Sequence, residues 1–135
     1  MNYSAKLIHH FRNPRNVGMM RDPDGAGEEE YGGCGDVVRF YLRVQSGKVL
    51  EVRFQTYGCG PTIAAASAGS ELVTGLAVER VLDVSAKRVE DALDGLPEDR
   101  RHAAEVVAAA LHAAAKDYLS RHGEVATRKG GIRDV

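Results

Sequence analysis

The chain has 135 residues, of which 44% are hydrophobic and 27% charged, which is ordinary for one globular domain with its own core. A net charge of −1 and the absence of Trp argue against a nucleic-acid partner and a base-stacking surface. No apolar run is long enough to span a bilayer, and two cysteines without a secretory signal favour a reducing cytoplasm.

The first predicted element is a short amphipathic helix over residues 5–12, with Ser4 as its capping residue. Asn13 ends this helix, because a residue that precedes a proline is disfavoured in the helical region. Residues 13–33 are rich in glycine and proline. They are therefore predicted to form a mobile loop with at most a short extended piece.

Two strands are predicted over residues 37–45 and 49–57, because apolar and polar residues alternate in both. Ser46 and Gly47 between them are typical of a tight hairpin turn. One face of the hairpin is charged and the other apolar, so helices are expected to cover one side only. The alternating set predicted for the covered face is Val38, Phe40, Leu42, Val44, Leu50, Val52, Phe54 and Thr56.

The rest of the chain is predicted to be helical. A helix begins at Pro61, with Gly60 as its cap and Gly75 as its stop. Two short helices follow over residues 78–83 and 86–93. The last helix is predicted to begin at Pro97 and to stop at Gly123, on the basis of a long apolar stripe.

These elements predict an α+β fold, a small antiparallel sheet with helices packed on one face. Residues 1–122 are predicted to form the domain. Residues 123–135 contain charges and paired glycines without periodicity, and are predicted to be a flexible C-terminal tail.

Both cysteines are expected at the same end of the predicted hairpin. Cys34 lies just before its first strand and Cys59 just after its second, so antiparallel pairing makes them neighbours. Asp36 follows closely, and His102 lies in the first turns of the last helix. Two thiolates, one carboxylate and one imidazole would complete a tetrahedral zinc site or terminate an iron–sulfur cluster.

Structural explanations for the same residues stay open at this point. A buried cysteine is commonly inert packing, Asp36 can be a strand-entry residue, and His102 can be a surface or capping histidine. His9 and His10 flank the first helix and are expected to be solvated or capping residues.

Several motifs occur together and in order along residues 1–120. They are Tyr3-Ser4, His10-Phe11, Asn13-Pro14-Arg15-Asn16-Val17-Gly18, Cys34-Gly35-Asp36, Thr56-Tyr57-Gly58-Cys59-Gly60 and Leu96-Pro97-Glu98-Asp99-Arg100-Arg101-His102. With these motifs the chain resembles the IscU/NifU-type iron–sulfur cluster scaffolds. The resemblance implies a three-stranded sheet, with the third strand within residues 18–33.

The resemblance also implies a function. Such a protein is a non-enzymatic scaffold or carrier that builds a [2Fe–2S] cluster from iron and from sulfur donated by a cysteine desulfurase. It then passes the cluster to acceptor proteins, as a monomer or homodimer. The implied ligands are Cys34, Asp36, Cys59 and His102. The aspartate is implied to keep the cluster labile, because a carboxylate is a poorer partner than thiolate for a soft cluster.

One position departs from the family pattern. The resemblance implies a third cysteine directly after His102, where this chain has Ala103. Mixed ligation with only two thiolates is feasible, as in Rieske centres. Two alternatives stay open: a zinc-bound regulatory or interaction module of the assembly system that does not accept sulfur, and a sulfurtransferase with Cys59 as nucleophile and His102 as base.

Overall fold

The computed structural model describes residues 3–32 and 35–123. Its elements are α1 (Ala5–Arg12), β1 (Gly25–Tyr31), β2 (Asp36–Gln45), β3 (Lys48–Tyr57), α2 (Gly60–Val73), α3 (Val78–Val81), α4 (Ala86–Ala92), a 3-10 turn (Glu98–Arg100), α5 (His102–Tyr118) and a π-helical turn (Leu119–Gly123). The strands form an antiparallel sheet in the order β1-β2-β3. The predicted α+β class and the three-stranded sheet are confirmed.

Helix α1 forms where the sequence predicts it. The Ser4 hydroxyl accepts a hydrogen bond from the Leu7 N–H at 2.9 Å, and the helix ends at Asn13. This side chain satisfies one of the N–H groups that a helix start leaves without a partner. Leu7 is buried, so the helix is held to the body of the protein by its apolar side.

Strand β1 corrects the loop predicted from the glycines and prolines of residues 13–33, and confirms the strand that the resemblance implies. Its glycines serve close packing. A Cβ atom at Gly27 would lie 2.3 Å from the backbone nitrogen of Ala114, and one at Gly25 would lie 2.6 Å from the carbonyl oxygen of Ala114. Helix α5 therefore crosses β1 at a distance that only glycine permits.

The β2–β3 hairpin turns at Ser46 and Gly47 as predicted, and its strand pairing contains one bulge. The pairing shifts between Arg43, opposite Glu51, and Val44, opposite Val49. Leu50 is the extra residue, and 56% of its surface is exposed, whereas Val49 is 1% exposed. The prediction that Leu50 lies on the covered face is wrong, because a bulge of one residue turns alternate side chains to the other face.

Two helix starts differ from prediction. Cys59, not Gly60, is the capping residue of α2, and Gly60 is its first helical residue. The last helix begins at His102, not at Pro97. The bonds from Arg100 N–H to the Pro97 carbonyl and from Ala104 N–H to the Arg101 carbonyl span three residues, so a tight 3-10 turn precedes α5.

The main core lies between the sheet and the helices α2 and α5. Phe40 and Phe54 fill it from the strands, and Leu111 from α5; each is at most 1% exposed. None of the helices within the part of the chain that the structure describes is long and apolar enough to cross a membrane. Of the predicted tail, residues 124–135 lie outside the described residues.

Candidate metal and cluster site

Three predicted site residues come together from three different elements. Asp36 is the first residue of β2, Cys59 caps α2, and His102 is the first residue of α5. One ligand atom of each lies within 4.8 Å of the others. Among the residues that the structure describes, this is the one such group of three acidic, cysteine or histidine side chains.

The carboxylate of Asp36 is buried, at 4% exposure. Its Oδ2 atom accepts a hydrogen bond of 2.7 Å from the Thr62 hydroxyl and lies 3.1 Å from Nε2 of His102. A buried carboxylate is costly unless it has such partners. Gly58 makes room for it, since a Cβ there would lie 3.0 Å from Oδ1 of Asp36.

The thiol of Cys59 is partly buried and forms no disulfide in the described structure. Its Sγ atom lies 3.4 Å from Oγ1 of Thr62. Although Cys59 caps α2, its side chain makes no capping hydrogen bond. The sulfur is therefore not committed to the helix end, and can bind a metal without a loss of helix capping.

The imidazole of His102 is held on two sides. Its side chain is 14% exposed, and Nε2 faces the Asp36 carboxylate. The ring of Tyr31 stacks on it with the centroids 4.5 Å apart and the planes at 26°. Asp36, Tyr31 and the start of α5 thus fix the direction in which the histidine nitrogen points.

The distances suit a tetrahedral metal. Two ligand atoms on such a metal are roughly 3.3 to 3.6 Å apart, given bonds of about 2.0 Å to nitrogen or oxygen and 2.3 Å to sulfur. The 3.1 Å between Oδ2 of Asp36 and Nε2 of His102 is close to that value, so both atoms can bind one metal after a small adjustment. The ligand atoms of the whole group lie within 4.8 Å of one another. A tetrahedral metal would require the longest of these distances to shorten by about 1 Å, which a small movement of the sulfur provides.

A cavity of about 430 Å³ adjoins the three residues, and Arg100 and Tyr57 are among its lining residues. This volume is an order of magnitude larger than the roughly 30 Å³ occupied by one water. Tyr57, which is 82% exposed, stands beside the cavity. The arrangement offers soft and hard donors around a space that can hold a group larger than a single ion.

Two other predicted positions bear on the site. Cys34 lies outside the described residues, so its place in the ligand set stays a prediction. Its neighbours show that the strand ends meet, since Val37 pairs with Tyr57 and the Gly35 N–H donates to the Tyr31 carbonyl at 2.9 Å. Ala103 follows His102 and is fully buried.

His10 differs from expectation, whereas His9 is exposed as predicted. The side chain of His10 is only 12% exposed, and its Nδ1 lies 2.7 Å from the hydroxyl of the buried Ser67. Burial lowers the pKa of His10, and the nearby carboxylate of Glu71 only partly opposes this. The imidazole ties α1 to α2 instead of facing water.

Sequence reasoning missed Tyr31 and Thr62 as residues of the site. Thr62 follows Cys59 by three residues at a helix start, a spacing that brings its hydroxyl back toward the cap. That signal was present in the sequence. Tyr31 gave none, because its contact with His102 depends on the packing of β1 against α5.

Comparison with known proteins gives a consistent result. The family model described as the NifU-like N terminal domain matches residues 2–125. The chain is 37% identical over 123 residues to the iron–sulfur cluster assembly scaffold protein IscU 1 of Archaeoglobus fulgidus, covering 91% of this chain and 80% of that protein. It is 38% identical over 125 residues to the scaffold protein IscU of Aquifex aeolicus, again covering 91% and 80%.

A solved structure supports the fold independently. The N-terminal domain of a NifU-like protein from Brucella abortus aligns with a TM-score of 0.70, over 87% of this chain and 94% of that one. The sequence identity is 16%, so this likeness concerns the fold alone.

Proposed function

The chain belongs to the family of NifU-like N-terminal domains, and on that premise we propose that it is a scaffold for iron–sulfur cluster assembly. Two relatives named as IscU scaffolds, at 37% and 38% identity, support this function. The observation that carries it is the convergence of Asp36, Cys59 and His102 from three separate elements.

The cluster is the cargo of this site, and the residues divide its binding among them. Cys59 supplies a thiolate, His102 an imidazole nitrogen and Asp36 a carboxylate oxygen, with Cys34 proposed as the second thiolate. Four such donors can complete the coordination of a [2Fe–2S] cluster, which has two iron atoms. The set fits a cluster that is bound with fewer thiolates than a permanent one.

The same residues also favour release of the cluster to an acceptor protein. A carboxylate oxygen is a hard ligand and binds soft iron–sulfur units less strongly than a thiolate does. Oδ2 of Asp36 also has two protein partners, since it accepts from the Thr62 hydroxyl and lies 3.1 Å from Nε2 of His102. Departure of the cargo therefore leaves no buried carboxylate without partners, which lowers the free-energy cost of transfer.

A scaffold needs a source of iron and sulfur and proteins that accept the cluster. We propose that a cysteine desulfurase donates the sulfur to this chain. The chain itself has a non-enzymatic role, and its compartment is the cytoplasm. Only two cysteines in 135 residues suit a reducing compartment. Because Ala103 carries no sulfur, the donated sulfur would be received at Cys34 or Cys59.

The same donor set could bind zinc, but the scaffold relatives do not favour the regulatory zinc module as the function. The scaffold and the zinc module differ in the metal and sulfide that the isolated protein would carry. Protein purified without oxygen should be analysed for iron, zinc and acid-labile sulfide per chain, before and after reconstitution with ferrous iron and sulfide.

We expect iron and sulfide in equal amounts, with a visible charge-transfer spectrum, and loss of both in Cys59→Ser. His9→Gln, at an exposed histidine, is the control and should retain the cluster. Zinc alone, with no cluster after reconstitution, would reject the scaffold. A persulfide on Cys59 after incubation with desulfurase and cysteine, without any cluster, would indicate a sulfurtransferase instead.

A further inference from the structure

Tyr31 and Asp36 form the last residue pair of the β1–β2 ladder. They lie opposite each other in the register, and the Gly35 N–H donates to the Tyr31 carbonyl at 2.9 Å. Cys34 lies between them in sequence. The geometry of this pair therefore fixes where the connection that carries Cys34 begins and ends.

Both members of the pair contact the same residue of a distant helix. Asp36 Oδ2 lies 3.1 Å from Nε2 of His102, which is 66 residues further along the chain. The ring of Tyr31 lies over the imidazole plane, with centroids 4.5 Å apart. Asp36 thus contacts the edge of the His102 ring, and Tyr31 contacts the face of the same ring.

These contacts restrict different motions of the imidazole. A hydrogen bond to Nε2 fixes one atom but still allows the ring plane to swing about the line through that atom. A stacked aromatic ring opposes that swing, because tilting the imidazole would separate the two faces. Metal ligands need their direction fixed to within about 10–20°.

We propose that Tyr31 is a positioning residue that holds His102 in the orientation for metal and cluster binding. This inference rests on the proposed function for its biological meaning, although the stacking is a property of the chain itself. Tyr31 remains 38% exposed, so it contributes less to the core than its size would permit. Its ring also covers one face of the ligand histidine, which limits the access of water to it.

The test uses the full chain with Tyr31→Phe, Tyr31→Val and Tyr31→Leu. Phenylalanine keeps the stacking ring, whereas valine and leucine remove it; valine also suits a strand. The matched control is Tyr118→Leu, at a tyrosine that stacks on a different histidine, His122, with centroids 4.4 Å apart. Two quantities are measured: the affinity for cobalt(II) alone, and the NMR shifts of the His102 ring protons in metal-free protein.

We expect Tyr31→Phe and Tyr118→Leu to retain the wild-type affinity, and Tyr31→Val and Tyr31→Leu to bind cobalt(II) roughly three- to ten-fold more weakly. The ring-current shift of the His102 protons should disappear only in the last two. Unchanged affinity and shifts in both aliphatic variants would overturn the proposal, as would equal losses in Tyr31→Phe.

The outcomes separate this inference from the proposed function. A wild-type protein that forms no cluster, but whose cobalt(II) affinity depends on the Tyr31 ring, would reject the scaffold and keep the positioning role. Normal cluster assembly by the wild-type protein, together with unaltered His102 shifts in Tyr31→Leu, would support the scaffold and reject the positioning role.

Discussion

Among the described residues, Asp36 is the one buried charged side chain. An apolar residue at this position would begin the strand without burying a charge. Burial is tolerated because Thr62 and His102 both reach Oδ2. Burial of this carboxylate has a cost in stability, and such a cost is typical of functional sites.

Replacement of Thr62 tests this arrangement. Thr62→Val removes the donor but keeps the shape, so the Asp36 carboxylate loses one partner. The free energy of unfolding should fall by about 1–3 kcal/mol, measured by urea denaturation without metal. Thr74→Val, at an exposed position, is the control and should change it by less than about 0.5 kcal/mol. Equal small effects would show that Asp36 does not depend on Thr62.

His10 predicts a pH dependence of stability. The Ser67 hydroxyl accepts from the Arg15 N–H at 2.8 Å, so its own hydrogen can be donated to Nδ1 of neutral His10. Burial lowers the pKa of His10 below the ordinary 6.5. As pH falls through 6.5, the unfolded chain takes up the proton first, so stability falls until the lower folded-state pKa is passed.

The variant His10→Asn keeps a hydrogen-bond acceptor but cannot be protonated in this range. We expect it to lose a stability slope of at most about 1.4 kcal/mol per pH unit just below pH 6.5. Denaturation curves at pH 5 to 7.5 measure the slope. The exposed His9, changed to Asn, is the control; a slope retained in His10→Asn but lost in His9→Asn would contradict the assignment.

At the scale of elements, strand β1 depends on its contact with α5. The absence of a side chain at Gly27 allows the helix to approach, since a Cβ would meet backbone atoms of residues 113 and 114 within 2.3–2.6 Å. Backbone atoms cannot move aside as a flexible side chain can. The crossing therefore also sets the position of the β1 end, where Tyr31 reaches the site.

Gly27→Ala should accordingly lower the free energy of unfolding by about 3 kcal/mol, the upper part of the range for overpacking. It should also weaken metal binding, because β1 and α5 would separate. Gly32→Ala is the matched control, since a Cβ there meets nothing within 4 Å. A stable Gly27→Ala protein with normal metal affinity would show that the crossing does not position the site.

The sequence predicts those elements that depend on interactions between residues close together along the chain. Helix α1 and the β2–β3 hairpin follow from a cap, a turn and alternation. The bulge at Leu50 does not, because nothing in the alternation marks the extra residue. Strand β1 was missed by residue-based reasoning because its glycines resemble loop residues until the crossing of α5 is known.

The same distinction holds for the site. Asp36 and Cys59 were predictable as neighbours because they lie at the same end of one hairpin. The position of His102 beside them depends on how α5 docks on the sheet, and its stacking on Tyr31 depends on both. The part of the site that joins distant elements therefore required the structure.

For the whole molecule, the extent of the domain stays a prediction. The described core residues end at Ala115, and Tyr118 stacks on His122 with centroids 4.4 Å apart. We expect a chain ending at Gly123 to keep the melting temperature and metal affinity of the full chain. A fall in either would show that residues 124–135 contribute to the fold or to the site.

The molecule as a whole combines a well-packed core with a site whose candidate ligands are of different chemical types. The core between sheet and helices fixes the starts of β2, α2 and α5, and each start carries one candidate ligand. The candidate ligands are of mixed type, because the described residues supply one thiol, one carboxylate and one imidazole. A site of this kind suits cargo that must be both held and released.

We propose that His102 binds the cluster directly, together with few thiolates. Pulsed electron paramagnetic resonance of the reduced cluster, in protein carrying ¹⁵N-labelled histidine, measures the coupling to a coordinated nitrogen. We expect a strong ¹⁵N coupling in the wild type and in the His9→Gln control, and none in His102→Ala. A reconstituted cluster without that coupling in the wild type would mean that other ligands hold it, and would contradict the site proposed here.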